Sequence, residues 1–364
     1  MPRILCRAAP ARRAVGAGLA PPGSRIKISR PAAEEWAGED RVLTVAGTEL
    51  QTYFPVAITL LEPGSIVPCE IWLRHEDNRP PVLYRARNVA FTAEHRERLV
   101  RSGVETLWVP FSDSAQWTTY LEARLHDRIA DPARPVEERA EVLITTSRSI
   151  MKEVVTNPRA EGTKKRITGL ADSVCELMRE PSALAATVRL MEHDYYTYTH
   201  CLHVALYSVA LARAAGIDDD ETLGDIGAGA LMHDCGKCML PSVLINKPGR
   251  FSETEWDLMR QHPTFGLQVL EETGWDQPTV KDVVHCHHER CDGSGYPQGL
   301  PHRLIPDAAR IAAICDAYDA MTTDRAYQRA RQGVQALQII HNSERDKYDK
   351  QFTELFIRLL LQRG

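Results

Sequence analysis

The residues best suited to chemistry are histidines and aspartates that cluster in the second half of the chain. Nine of the thirteen histidines lie between His193 and His302. Neutral imidazole offers a nitrogen lone pair at physiological pH, and a neighbouring carboxylate supplies the negative charge that holds a divalent cation. The adjacent pair His233-Asp234 can direct two ligand types into one cavity. The pattern predicts a two-metal hydrolase centre, with the carboxylate able to bridge both metals.

A cluster of this kind needs helices that bring distant residues together. The other candidate ligands each lie on a separate predicted helix or helix end: His200, His262, His287-His288 and Asp316. Helical bundles build di-metal centres in this way, with side chains that project inward from facing helices. Capping boxes are predicted at Asp218 with Glu221 and at Ser252 with Glu255. These signals predict a mainly α protein with an all-α bundle as its C-terminal domain.

The chain divides into four predicted regions. Residues 1–38 are rich in Arg, Ala, Pro and Gly, which predicts a disordered basic tail. Residues 39–117 mix strand and helix signals and are interpreted as a small α+β regulatory domain. Residues 118–189 have a helical composition broken by prolines and are predicted as a helical linker that could carry a homodimer interface. Residues 190–364 form the predicted catalytic domain.

Local signals support the α+β prediction. Val67 to Leu73 and Val82 to Ala86 are strand-like, with aromatic residues that suit a half-buried sheet. Thr92 can cap a short helix that ends near Gly103, after which Val104 to Val109 is typical of another strand. No chemistry-bearing cluster is visible in this region.

Composition excludes several classes of partner. The net charge of −5 provides no basic stripe for a DNA or RNA backbone, so no nucleic-acid polymer is expected. No run of about 18 apolar residues is present, so we expect no membrane span and a cytoplasmic location. The nine cysteines are irregularly spaced, which favours reduced thiols. Cys235 and Cys238 match C-x-x-C, but packing is favoured over zinc or redox chemistry.

Six motifs lie between about residues 190 and 350. They are Tyr196-Thr197-Tyr198-Thr199-His200, His233-Asp234-x-Gly236-Lys237, Asn246-Lys247-Pro248-Gly249, Gln261-His262-Pro263, His287-His288-Glu289-Arg290 through Tyr296-Pro297, and Asp316-Ala317-Tyr318-Asp319-Ala320-Met321-Thr322. Together they resemble the HD-GYP domain, a subgroup of the HD metal-dependent phosphohydrolases that acts on cyclic di-GMP. The region before residue 190 is only vaguely similar to the small domain of some members.

The resemblance implies two metal sites that share Asp234. One site would use His200, His233, Asp234 and Asp316, and the other Asp234, His262, His287 and His288. Some family members carry a glutamate that goes with a third metal where this chain has Tyr196, so two metals are expected. Mixed His and carboxylate ligation suits iron or manganese better than structural zinc, and the resemblance makes iron the first choice.

The resemblance also implies roles around the metals. Asp234, Lys237 and Asp319 would form the catalytic group, in which Lys237 meets a phosphate or leaving oxygen and Asp319 orients Lys237 or the ligands. The implied substrate contacts are Lys237, Gly295, Tyr296, Pro297 and Arg325. The turn around Tyr296 has an alternative interpretation as a tight turn without substrate contact. In the family this loop is also implicated in contacts with diguanylate cyclase domains.

The leading hypothesis is therefore a bacterial cyclic di-GMP phosphodiesterase. The two-metal resemblance implies that linearisation to pGpG dominates and that cleavage to GMP is slow or absent. Two alternatives remain open at the level of sequence. One is a cyclic di-GMP receptor with little turnover, and the other is an HD-type hydrolase of another phosphate ester.

Overall fold

The computed structural model describes residues 42–43, 51–74, 81–191, 197–247, 249–323 and 332–361. The chain divides into two compact units. The first comprises the described residues within Met1–Ile66 and Glu70–Val109, and the second those within Val67–Cys69 and Pro110–Gly364. The predicted basic tail lies outside the described residues.

The first unit contains most of the strands. The strands are β1 (Val42–Leu43), β2 (Gln51–Ala57), β3 (Ser65–Val67), β4 (Ile71–Leu73), β5 (Val82–Arg85), β6 (Val89–Phe91) and β7 (Thr106–Pro110). Among the described residues, one sheet has the order β1-β2-β7-β4-β5 and a second pairs β3 with β6. Strand β4 runs antiparallel to β5 and β7.

Helix α1 (Ala93–Arg101) completes the predicted α+β character. It begins after Thr92, whose side chain accepts a hydrogen bond from the backbone N–H of His95, so the predicted cap is confirmed. The strand-like stretch Val67–Leu73 is not one continuous strand. The stretch instead holds the end of β3 and all of β4, with Pro68 between them. Proline has no N–H to donate to a sheet, which favours an interruption there.

The second unit is helical. Its α-helices are α2 (Ser114–Glu122), α3 (Leu125–Ala130), α4 (Val136–Thr156), α5 (Thr163–Leu177), α6 (Ala183–Leu190), α7 (Thr197–Ala214), α8 (Asp220–Met232), α9 (Ser242–Ile245), α10 (Glu253–Met259), α11 (His262–Glu272), α12 (Pro278–Cys286), α13 (Asp307–Thr322), α14 (Gly333–Gln338) and α15 (Lys350–Leu361). The predicted fold class, a helical bundle preceded by a small α+β region, is confirmed.

Helix α7 is the centre of the bundle. It contacts α4, α5, α8, α13 and α15. Every residue from Cys201 to Ala212 is buried, so burial extends all round the helix axis. A helix that is apolar all round belongs in the interior, so the two histidines of α7 are carried into the core.

Residues 118–189, predicted as a linker, are largely helical and pack within the second unit. Helix α4 contacts α6 and α7, and α5 contacts α8. In the described part of the chain, no helix combines the length and apolar character that crossing a bilayer requires.

The helix caps explain where two site-bearing segments begin. Ser252 and Glu255 form the predicted capping box at the start of α10. The box predicted at Asp218 and Glu221 is wrong by one residue, because Asp219 is the residue whose carboxylate accepts from the N–H of Thr222 at 2.7 Å. Both aspartates fit the N-cap pattern, and the backbone path selects the second.

Candidate metal centre

Six of the seven predicted ligands lie near the ends of helices that converge within the second unit, and the seventh, Asp316, lies inside a helix. His200 lies in the first turn of α7, and His262 is the first residue of α11. His233 and Asp234 follow α8 directly, where a 3-10 helix begins at Cys235. The pair His287-His288 follows α12, and Asp316 lies within α13. Helices α8, α12 and α13 contact one another, which brings these residues together.

Two groups of potential ligand atoms are compact enough to hold cations. Within each group the atoms lie within 4.8 Å of one another. The groups are Asp234, His262, His287 and His288, and His200, His233 and Asp234. Asp234 belongs to both, with Oδ1 3.4 Å from His262 Nε2 and Oδ2 3.5 Å from His233 Nε2. Its carboxylate therefore faces both groups, as a bridging ligand must.

Asp316 lies beside both groups. Its Oδ1 is 3.2 Å from His200 Nε2, and its Oδ2 is 3.7 Å from His288 Nδ1. The carboxylate is buried. All seven sequence-predicted metal ligands thus come together in one buried region.

Backbone hydrogen bonds fix the orientation of three imidazoles. His233, His262 and His287 each place Nδ1 on a carbonyl oxygen of the preceding helical turn, at 2.7, 2.8 and 3.0 Å. A carbonyl can only accept, so Nδ1 carries the proton in each case. The Nε2 lone pairs then point into the centre. Metal-binding histidines are commonly held by such a hydrogen bond from the second ring nitrogen.

Asp319 orients His200 in the same manner. Its Oδ2 accepts from His200 Nδ1 at 2.7 Å, and its Oδ1 lies 2.9 Å from Nδ1 of His203. The two histidines are one turn apart on α7, so a single buried carboxylate reaches both. Asp319 was predicted to orient either Lys237 or the metal ligands. Its contact with His200 matches the second role. Lys237 instead donates to Asp234 Oδ2 at 2.6 Å.

The centre favours ionised carboxylates. Burial opposes the ionisation of Asp234, but the ammonium group of Lys237, 2.6 Å away, holds its pKa well below the usual range. Burial likewise opposes the ionisation of Asp316, and a hydrogen bond with His200 and the nearby His288 bring its pKa well below the usual value. Both side chains are therefore anionic at neutral pH, as cation binding requires.

The same environment favours neutral imidazoles. Burial lowers the pKa of His262 to about 4. Burial is also the main cause that lowers the pKa of His287 and His288 well below the usual value, and neighbouring imidazoles add to it. Neutral rings keep the nitrogen lone pairs available for a metal.

Two buried atoms show that the residues fit divalent cations. His233 Nε2 and Asp234 Oδ1 are buried without a hydrogen-bond partner. A buried polar atom left without a hydrogen bond is costly. His233 Nε2 belongs to one ligand group, and Asp234 Oδ1 lies beside His262 of the other group, so a cation in each group would satisfy these atoms. The donor set consists of imidazole nitrogens and carboxylate oxygens, which suits a divalent metal ion.

Gly236 allows the turn after Asp234 to lie against α11. A Cβ at this position would come within 2.0 Å of the carbonyl oxygen of His262 and 2.4 Å of the backbone nitrogen of Gly266. Only glycine permits such an approach. The contact sets the separation between Asp234 and His262 across the centre.

A buried glutamate holds the loop that follows His288. Glu289 is 2% exposed, and its two carboxylate oxygens accept from the backbone N–H groups of Gln298 at 2.7 Å and Leu300 at 2.9 Å. The loop is thereby fastened to the end of α12. Glu289 belongs to a motif that the sequence singled out, but its role as an anchor was missed.

Within this loop, Gly295 packs against the start of the loop, and Tyr296 lies beside His288. A Cβ on Gly295 would meet the backbone of Glu289 and Arg290 at 2.3–2.6 Å, so the loop packs tightly against its own beginning. The Tyr296 ring lies 4.7 Å from that of His288, between centroids, and the Tyr296-Pro297 peptide is cis. Of the predicted substrate residues, Tyr296 therefore adjoins the metal centre, and Gly295 and Pro297 are its neighbours in the chain. Arg325 lies outside the described residues, as does Tyr196.

Comparison with known proteins places the chain among HD-domain proteins. A family model described as HD domain matches residues 199–352. A cyclic di-GMP phosphodiesterase of Pseudomonas aeruginosa is 30% identical over 298 residues, which cover 78% of this chain and 70% of that protein. A 3′3′-cGAMP-specific phosphodiesterase of Vibrio cholerae is 36% identical over 133 residues, 36% of this chain and 25% of that protein.

A solved structure shares the fold. An HDG"Y"P protein from Bdellovibrio bacteriovorus aligns with a TM-score of 0.59 and 21% identity. The alignment covers 85% of this chain and 99% of the other. The succession of a small sheet-containing region and a helical bundle along the chain therefore also occurs in a known structure.

Proposed function

The chain belongs to the HD-GYP family of HD-domain phosphodiesterases, and we propose that it hydrolyses one phosphodiester bond of cyclic di-GMP to give linear pGpG. The observation that carries this proposal is the placement of Asp234 between two groups of inward-pointing imidazoles. The name of the Pseudomonas relative supports the choice of substrate.

We propose two divalent cations at this centre, iron first and manganese as the alternative. One would be held by His200, His233, Asp234 and Asp316, and the other by Asp234, His262, His287 and His288. Bound cations supply Lewis acidity towards phosphoryl oxygens and lower the pKa of water, which yields a nucleophile at neutral pH. Metal analysis of protein purified without oxygen tests both the identity and the number of ions.

The chain's own residues position the substrate and the ligands. Lys237 lies 24% exposed beside Asp234, where its ammonium group can meet a phosphoryl oxygen or the leaving oxygen. Asp319 keeps the Nδ1 proton of His200 in place, so that Nε2 stays directed inward. Gly295, Tyr296 and Pro297 would contact the nucleotide beside His288, and Arg325 its phosphate. We propose that pGpG is the main product and that cleavage to GMP is slow.

The alternative candidate substrate is 3′3′-cGAMP, which is favoured by the name of the Vibrio relative. Both cyclic dinucleotides offer the same phosphodiester linkage to the metals, so the bases must discriminate between them. Competition between equal concentrations of the two dinucleotides, with products resolved by chromatography, separates the candidates.

The test of the proposed function is anaerobic turnover of cyclic di-GMP by protein loaded with ferrous iron or manganese. The double variant His233→Ala/Asp234→Ala is the control. Formation of pGpG by the wild type and its loss in the control are expected. Tight binding of cyclic di-GMP without turnover by fully metallated protein would instead identify a receptor, and turnover of other phosphate esters alone would identify a different hydrolase.

We also propose a cytoplasmic location and two protein partners. The described cysteines are all free thiols, which a reducing compartment would preserve.

The polar outer side of the loop, with Asp292 and Ser294 exposed, supports contact with a diguanylate cyclase domain. Exposed Val188 and Leu190 at the end of α6 support a homodimer. Light scattering of the purified chain, alone and with such a domain, tests both associations.

A further inference from the structure

A cavity opens beside the loop that adjoins the metal centre. It has a volume of about 420 Å³ and is lined by Trp256, Arg260, Ser294, Gly295 and Tyr296. The ring of Tyr296 also lies beside the candidate ligands, with its centroid 4.7 Å from that of His288 and 6.3 Å from that of His262. The cavity and the metal centre therefore share a wall.

We propose that this cavity is a guanine subsite, in which one base of the substrate stacks on Trp256 and is recognised by Arg260. The inference rests on the proposed function, because it says where the protein binds the base nearest to the phosphate that is cleaved. A phosphate held between the two ligand groups would leave the attached nucleoside beside Tyr296, on the side where the cavity opens.

The indole of Trp256 is presented as a platform. It is 44% exposed, although a large aromatic side chain is normally more buried. Phe251 packs against it edge to face, with ring centroids 5.3 Å apart, and so supports it from within the protein. Every nucleobase has a π face that can stack on such a ring.

The platform is rigidly connected to a metal ligand. Lys247 holds Glu255 with two bonds of 2.7 and 2.6 Å, and Glu255 in turn closes the capping box at the start of α10. At the other end of α10, the carbonyl oxygen of Met259 accepts from Nδ1 of His262 at 2.8 Å. One short helix therefore fixes the distance between the stacking surface and the centre.

Arg260 gives the cavity a preference among bases. Its guanidinium carbon lies 5.9 Å from the indole centroid of Trp256, one helical turn away on the same face. The side chain is 53% exposed, and its 3.3 Å pair with the exposed Asp257 contributes little and is easily exchanged. A guanidinium offers donors only, which match the O6 and N7 acceptors of guanine, whereas adenine presents a donor at N6.

The experiment is steady-state kinetics of metal-loaded full-length protein with cyclic di-GMP. Trp256→Ala should raise KM roughly tenfold with a much smaller change in kcat, because base stacking on an aromatic ring is lost. Trp256→Phe should restore most of the affinity. Phe111→Ala is the matched control, since Phe111 is exposed to a similar extent, 41%, and should leave both constants unchanged.

Base preference is tested with Arg260→Gln. This variant should raise KM for cyclic di-GMP roughly tenfold, and it should lower the inhibition constant of cyclic di-AMP as a competitor, because glutamine pairs with N6 and N7 of adenine. An unchanged KM in both Trp256→Ala and Arg260→Gln would overturn the proposal. So would a fall in kcat alone, since that would place the residues in support of the metals.

Failure of the proposed function gives a different result. If the wild type binds cyclic di-GMP without turnover, calorimetric titration replaces kinetics, and weaker binding by Trp256→Ala still supports the subsite. If the wild type turns over cyclic di-GMP and the variants match it, the function stands and the subsite is refuted.

Discussion

Glu289 should determine whether the loop beside the metal centre keeps its shape. The substitution Glu289→Gln preserves size but replaces one carboxylate oxygen with an NH2 group. That group would face the backbone N–H of either Gln298 or Leu300, both of which now donate to Glu289. One buried donor would lose its partner, and the other would bond to a neutral oxygen instead of a charged one.

The size of the effect follows from these two bonds. An unsatisfied buried donor costs roughly 1–3 kcal/mol, and a bond to a neutral acceptor is about 1 kcal/mol weaker than one to a carboxylate. We therefore expect the free energy of local loop opening to fall by about 3 kcal/mol, a loss of amide protection of roughly a hundredfold. Turnover should fall as well, since Tyr296 is carried by the same loop.

Hydrogen exchange measured by mass spectrometry on peptides covering residues 291–300 is the assay. Glu354→Gln is the control, because Glu354 is exposed and pairs only loosely with Arg358, at 3.6 Å, so its loss should change stability by less than about 0.5 kcal/mol. Unchanged protection of the loop amides in Glu289→Gln would refute the anchoring role.

The close contacts at the metal centre give three more expectations. Gly236→Ala should lower the free energy of unfolding in urea by about 3 kcal/mol, because its Cβ would lie 2.0 Å from the carbonyl oxygen of His262. Gly169→Ala, at a helical position with no atom within 4 Å, should instead raise it by about 0.5–1 kcal/mol. Asp319→Asn should weaken metal binding roughly 10–100-fold in calorimetric titrations, since the amide cannot hold His200 as the carboxylate does. In metal-free protein, burial lowers the pKa of His262 from 6.5 to about 4. The unfolded state then binds more protons within that window, so the free energy of unfolding should fall by about 3 kcal/mol as the pH drops from 6.5 to 4.

Each of these expectations has a contrary result. Wild-type stability in Gly236→Ala would mean that α11 moves away without cost. Full metal affinity in Asp319→Asn would mean that His200 needs no carboxylate to orient it. If the free energy of unfolding of the metal-free protein stayed constant between pH 6.5 and 4, His262 would be protonated as easily in the folded as in the unfolded state. His262→Gln should reduce the dependence of the free energy of unfolding on pH.

The family resemblance named seven candidate ligands, and local signals in the sequence already indicated that they would cluster, as they do in the structure. His233-Asp234 and His287-His288 each follow a helix, and residue type together with helix ends indicates a shared centre. The same local signals could not choose between Asp218 and Asp219 as a cap, since both residues fit the pattern.

Residues whose partners depend on tertiary packing could not be predicted. Glu289 binds backbone amides 9 and 11 residues further along, and the path of that loop is not encoded in residue type. Likewise, His203 shares a helix face with His200, but its bond to Asp319 arises from the packing of α7 against α13. In the sequence, Trp256 looks like an ordinary helix residue. Its interest depends on the loop that forms the other side of its cavity, which only the structure shows.

The most direct test of the account is a crystal structure of protein loaded with ferrous iron, with anomalous-scattering maps collected at the iron edge. The account predicts two peaks, one on each side of the Asp234 carboxylate. The first should contact His200 and His233, and the second His262 and His287. A single peak, or peaks that leave Asp234 without contact, would contradict the two-metal centre.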